Sequence, residues 1–230
     1  MSFSSIIVDP QIRTNFPDAR IGWMLADLNL QESHPYAEEL KKTLAAVLAQ
    51  RGITEENLTS HPDIARWREV FRSMGVKPNK YKSTVEALVK RVLKGQNMWD
   101  ISSVVDVYNC VTVLTFLALG AFDTAYLDGD VVLRYAKEGE TFLPLGSEEE
   151  VIPTDPRQIV YADDSKIISW LWCYRDTRLT GVTLETKEAL FIIDTAFTLE
   201  TMSVEDGMAI LSEHLKKIGC TIKDSGIVGE

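Results

Sequence analysis

Cysteine and histidine are scarce in this chain, three of each, and their placement excludes most of the chemistry they usually carry. Cys110, Cys173 and Cys220 are odd in number, far apart and without C-x-x-C spacing. That argues against a disulfide framework and a zinc site, and suits the reduced thiols of a cytoplasmic protein. His34, His61 and His214 are equally scattered, two of them beside expected helix starts. They read as capping or solvent-facing residues rather than metal ligands, and nothing points to a histidine-based triad. The phosphate-cradling patterns G-x-x-x-x-G-K-[ST] and G-x-G-x-x-G and the G-x-S-x-G elbow are all missing. Neither a metal nor a cofactor is expected.

Long apolar runs are missing too. The most apolar window, Val111 to Phe122, is interrupted by Thr112 and Thr115 and falls short of the roughly 20 residues that span a bilayer. It reads as part of a buried helix starting near Ile101, and no membrane partner is expected. The opening MSFSSIIVDPQIRTNF has no basic start, no sustained apolar core and no small-residue cleavage site, unlike a signal peptide. No fixed-period repeat and no Pro/Gly/Ser linker divides the chain, so one domain over 1–230 is expected.

Four further helices carry recognisable start signals. Ser33 precedes a stripe of Ala37, Leu40, Leu44, Val47 and Leu48, with Gly52 as a stop. Ser60 and Pro62 open a helix with Ile64, Trp67, Phe71 and Met74 on one face. Ser83 and Glu86 form an S-x-x-E capping box ahead of Val85, Leu88, Val89, Val92 and Leu93. Ser203 and Asp206 open the last helix, with Val204, Met208, Leu211, Leu215 and Ile218 and then Gly219. Strand-like runs occupy 20–28, 130–136, 158–163, 166–174 and 189–197, separated in places by turn residues such as Asp128-Gly129-Asp130. Helices dominate the first half and strands the second, which predicts an α+β fold with its sheet core in the second half.

The formal charge is −10 overall, yet Arg66 to Lys94 holds nine basic residues against two acidic ones. Two helices joined by VKPNKYK would carry them. Arg72, Lys77, Lys80, Lys82, Lys90 and Arg91 are the candidates for holding nucleic-acid phosphates; the alternative is a solvated helix face favoured by the helix dipole. Within VVDVYNCVTVLT, Asp106, Asn109, Thr112 and Thr115 step by three along a helix. They form a slowly spiralling polar stripe that either ties neighbouring segments or lines a cleft.

SSVVDVYNCV, GAFD, VVLRYAKEGETF and IVYADD together resemble, in order and spacing, the B3/B4 region of the phenylalanyl-tRNA synthetase β subunit. That region typically reads vVD-x-TN-y, P-x-HAFD, R-x-A-x-x-GE and a strand ending in aspartate. KYKSTVEALVKRVLKG is similar to the free-standing B3/B4 proteins. The likeness covers about 61–200; it is weak over 1–60, and 201–230 is left as a C-terminal helix and tail. In the synthetase this domain is an editing module that hydrolyses the ester of mischarged tRNA, in a pocket beside the asparagine-bearing helix.

Carried over by motif, the family asparagine falls on Asn109, the preceding threonine on Tyr108 and the HAFD histidine on Gly120. The later glutamate is most nearly matched by Asp194 in IIDTAF. The resemblance implies that Asn109 orients the ester or a water and that Asp194 binds the substrate amine or water. Tyr108, Gly120 and Arg134 are then substrate contacts, with pairing to a carboxylate as the structural alternative for Arg134. Asp106, Asp123 and Glu140 match as structural ties. Gly120 and Tyr108 depart from the family, so tyrosyl specificity does not follow.

Three functions remain open on these residues. One is hydrolysis of mischarged aminoacyl-tRNA in trans, with tRNA as the partner. A second is a non-catalytic module that binds tRNA or an aminoacyl ligand. The third is a small-molecule hydrolase or amino-acid-binding protein without a tRNA role. The oligomeric state is left open.

Overall fold

The computed structural model describes residues 3–146 and 151–228. In Ile6–Val8 the two outer residues are buried and Ile7 faces solvent, the alternation of a strand, β1. Asp9 accepts the Gln11 N–H and so caps α1, Pro10–Asn15. After β2, Arg20–Asp27, comes α2, Pro35–Gln50. Its cap is His34 rather than Ser33: Nδ1 of His34 accepts the Tyr36 N–H at 3.1 Å, and Pro35 takes the first helical position.

Next are α3, Pro62–Ser73, and α4, Thr84–Leu93. The Ser83 hydroxyl accepts the Glu86 N–H as the capping pattern predicts. The Glu86 carboxylate does not complete the box. It turns to α3 and takes the Arg68 guanidinium at 2.8 Å, in a pair largely removed from solvent.

Val111 to Phe122 is not one helix. α5, Ser103–Thr115, stops at Phe116, which adopts a left-handed φ of 61°. The Thr115 hydroxyl accepts the Leu117 N–H and holds the turn. The chain then continues as β3, Ala118–Asp123. A strand covered on both faces has no two-residue alternation, so its apolar run matched a buried helix equally well.

The remaining elements are β4, Val131–Tyr135; β5, Thr141–Phe142; β6, Ile152–Pro153; β7, Ile159–Ala162; β8, Ile167–Trp170; β9, Arg175–Asp176; β10, Glu188–Thr195; α6, Val204–Lys217; and β11, Thr221–Val228. None of the described helices is long and apolar enough to cross a membrane.

The architecture is α+β, but its sheets are not confined to the second half. One has the order β1-β4-β7-β8-β9, with β1 parallel to β4 and every other pair antiparallel. The second large sheet, β11-β2-β10-β3, is antiparallel throughout, and β5 and β6 form a separate two-stranded antiparallel ribbon. Residues 1–60 therefore complete both sheets, and the expected C-terminal tail contains an edge strand. α6 lies close to the second sheet at two glycines. A Cβ on Gly22 would stand 2.4 Å from Met208 Sδ, and one on Gly207 2.3 Å from Leu117 Cδ1. Buried side chains from both sheets and the helices join in one core, with Trp67 of α3 edge-on to Trp172.

Candidate functional site

A cavity of about 530 Å³ opens where the two sheets meet beneath α4 and α5, within the size range of small-molecule sites. β3 and β10 form one wall. Ala118 faces Asp194 and Gly120 faces Ile192 across the antiparallel ladder, and all four line the cavity, because directly opposed residues share a face. α5 adds Val105, Tyr108 and Asn109, α4 adds Thr84, Ala87 and Leu88, and β7 adds Tyr161.

The opposite wall comes from an unusual turn. The expected strand over 166–174 breaks after Trp170, because Leu171 and Trp172 adopt left-handed φ values of 53° and 62°. Both are buried and neither is glycine, so the turn is strained. It delivers Trp172 and Cys173 to the cavity ahead of Tyr174, Arg175 and Asp176.

Asp194 is buried, with 2% of its surface exposed. Its Oδ2 accepts both the Tyr161 hydroxyl proton and the Trp172 indole N–H, the latter at 2.9 Å. Neither bond uses Oδ1. Burial pushes its pKa up to about 7, against the lowering effect of the two donors. Asp176 lies across from Gly120: a Cβ on that glycine would be 3.4 Å from Asp176 Oδ2. Burial raises Asp176 to about 6, opposed by the neighbouring Ser169 hydroxyl. The Cys173 thiol is pushed well above its usual range, chiefly by burial, which disfavours its thiolate form.

The polar stripe on α5 divides. Asp106 is fully inside, its Oδ1 accepting the Ile101 N–H and its Oδ2 meeting Lys41. Thr112 and Thr115 donate back to the Tyr108 and Val111 carbonyls within the helix. Only Asn109 reaches the cavity, and among the described residues no hydrogen bond holds its carboxamide.

Tyr108, Asn109, Gly120 and Asp194, brought together from distant parts of the sequence, thus line one space. Arg134 does not. Its guanidinium forks onto both Glu140 oxygens at 2.9 and 2.6 Å, away from the cavity lining, the pairing left as its alternative role. Asp123 Oδ1 accepts the Ala125 N–H and Oδ2 the Thr186 hydroxyl.

The basic segment is also divided. Lys80 and Lys82 border the cavity together with Arg175. Arg91 lies 4.1 Å over the ring of Trp99, an exposed indole that also borders it. Arg72 and Lys77 are exposed and Lys90 is half-buried, and none of the three lines the cavity. Arg68 is spent on Glu86. Sequence reasoning missed Tyr161, Trp172 and Asp176. Two read as ordinary strand residues, and Asp176, between Arg175 and Arg178, has the composition of a solvated loop.

The family model for the B3/4 domain matches residues 66–206. Over 116 residues the chain is 34% identical to a phenylalanine–tRNA ligase beta subunit of Dechloromonas aromatica, which is half of this chain and 14% of that protein. The corresponding subunit of Chromobacterium violaceum is 34% identical over 80 residues, 35% of this chain and 10% of that one. The fold is similar to the crystal structure of an N-terminal fragment of the phenylalanyl-tRNA synthetase beta-subunit from Pyrococcus horikoshii. That match has a TM-score of 0.50 and 12% identity, over 96% of this chain and 50% of the fragment.

Proposed function

Because the chain belongs to the B3/4 domain family, we propose that it accepts the aminoacylated 3′ end of a tRNA in this cavity and hydrolyses the ester in trans. The observation that carries the reading is the meeting of Asn109, on α5, and Asp194, on β10, in one largely apolar space. The exposed cations Lys80 and Arg175, with Lys82 and the Trp99 indole, border its opening. Cations and an aromatic face are what a single-stranded nucleotide end requires.

The chemistry asks little of the protein. An aminoacyl ester is already activated, so positioning a water and the carbonyl supplies much of the rate. The Asn109 carboxamide donates to the carbonyl oxygen as negative charge develops there. Water forms the new C–O bond, the ester C–O bond breaks, and the water proton passes to the departing ribose oxygen, directly or through the adjacent hydroxyl. Free amino acid and uncharged tRNA result. No histidine lines the cavity, and none is required.

Deacylation of a panel of cognate and mischarged aminoacyl-tRNAs, by wild type and by Asn109→Ala, tests this. Selective turnover that falls at least a hundredfold in the variant is expected. Gly120, at the position where the resemblance places a histidine, favours a second reading: tRNA bound without turnover. Absence of both binding and turnover would leave a small-molecule site on the same fold.

A further inference from the structure

The cavity has a distribution of charge that its protein groups do not balance. Asp194 and Asp176 enter from different sheets, on β10 and β9. Among the described residues neither has a cationic partner, whereas Asp106, Glu86, Glu140 and Asp163 each meet a lysine or arginine. The cations that do line the cavity, Lys80, Lys82 and Arg175, are exposed or half-exposed residues at its edge. Asp194 is 2% exposed and Asp176 part-buried, and a carboxylate removed from water without a counter-ion carries an uncompensated desolvation cost. A ligand that brings the missing positive charge recovers that cost on binding.

The lining presents acceptors that suit an ammonium. Tyr161 and Trp172 together occupy Asp194 Oδ2 and fix the carboxylate plane, leaving Oδ1 as the acceptor. Gly120 has no side chain to cover Asp176, so Asp176 Oδ2 is open beside it. The Asn109 carboxamide, held by no hydrogen bond among the described residues, offers a third acceptor on the same lining. A primary ammonium has three N–H donors and no acceptor, and the cavity offers it three oxygens from three elements.

We infer that Asp176 and Asp194 form the recognition site for the ligand's free amino group, so that the cavity takes a ligand with a protonated primary amine at its floor and an anion at its rim, and discriminates against N-acylated forms. This rests on the reading of the cavity as an aminoacyl site and adds Asp176 as a specificity-determining residue. The raised pKa values of both carboxylates agree with it, since burial is the first cause of each.

The test uses non-hydrolysable aminoacyl-adenosine amides, with phenylalanyl, tyrosyl and alanyl groups in place of the ester, against their N-acetyl and desamino counterparts. Calorimetric titration into the wild-type protein at pH 7 is expected to give at least tenfold tighter binding of the free-amine form. Asp176→Asn and Asp194→Asn are each expected to shrink that ratio. A purely structural role would weaken all forms alike and leave the ratio intact. The wild-type ratio decides the matter even where a variant fails to fold. Equal binding of amine and N-acetyl forms overturns the inference while leaving an aminoacyl site standing; binding of none overturns both.

Discussion

The ammonium of Lys41 stands 2.7 Å from Asp106 Oδ2 and fastens α2 to the buried first turn of α5. Glu38 and Asp100 share the same ammonium at 3.0 and 2.6 Å. Burial works to lower the Lys41 pKa, and the three carboxylates raise it by more. Glu38, Asp100 and Asp106 lie close enough together to hold a metal ion, but the lysine is already the cation at their centre.

Replacing Lys41 by Met leaves the Asp106 carboxylate, whose side chain is 0% exposed, without its counter-ion. Removing one partner of a buried pair costs about 3–5 kcal/mol. Urea unfolding should show a loss of that order for Lys41→Met. Addition of Asp106→Asn should restore a substantial part of it, a coupling that independent sites would not give.

Asp194 should make the protein less stable as pH rises. Its native pKa of about 7 lies above the unfolded value near 4. Between those limits the folded state holds the proton more tightly, so the stability this contributes is present at low pH and lost as pH passes 7. Asp194→Asn keeps an oxygen for Tyr161 and Trp172 and removes the ionisation. The melting temperature of the variant, less that of wild type, should therefore grow between pH 5 and pH 8. A difference that shrinks would contradict the burial of an uncompensated carboxylate.

Gly120→His should fill the free-amine site from within. Its Cβ would sit 3.4 Å from both Asp176 Oδ2 and the Phe122 ring, and the imidazole would extend into the cavity. Binding of the amine-bearing adenosine amides should fall tenfold or more, and the new histidine should titrate above its usual value of about 6.5, followed by its imidazole proton resonances. An unshifted histidine with undiminished ligand binding would place the amine elsewhere.

Charge reversal at Lys80 and Lys82 should weaken tRNA binding and flatten its dependence on salt. Each lost phosphate contact removes about 0.7–0.9 from the slope of log affinity against log salt. The same reversals at Arg72 and Lys77, which do not line the cavity, should change the slope less. Fluorescence titration over a salt series measures both.

Gly207→Ala opposes a helix preference to a steric one. Alanine favours a helix over glycine by about 1 kcal/mol. The added Cβ would meet Leu117 Cδ1 at 2.3 Å and Ile193 Cδ1 at 2.9 Å, both fully inside the core. Overpacking costs about 1–3 kcal/mol, so a net loss is expected in urea unfolding.

Local rules made much of the helical layer legible. Ser83 and Ser203 cap where their spacing indicates, and Ile64, Trp67, Phe71 and Met74 are all buried. These features depend on neighbours three and four residues away. Ala118–Asp123 was hidden because its pairing partner is β10, and Phe116 turns the chain without the glycine that would have marked the turn. β1 was missed because a three-residue strand carries little periodicity. Tyr108, Asn109 and Gly120 were identifiable through motif spacing, and Asp194 through a looser match. Asp176 was not, since only the left-handed turn at Leu171 and Trp172 carries it to Gly120.

The position of β2 has a consequence for how the chain reaches this structure. Asp27 pairs with Glu188 on one edge and with Thr221 on the other. On a ribosome, β2 emerges long before either neighbour exists, with both edges unpaired. Closing so large a loop is entropically costly before any ladder repays it, which makes pairings of this kind slow and exposed to aggregation. The wall formed by β3 and β10 belongs to this sheet, so a nascent chain that ends before Glu188 lacks that wall and, with it, Asp194.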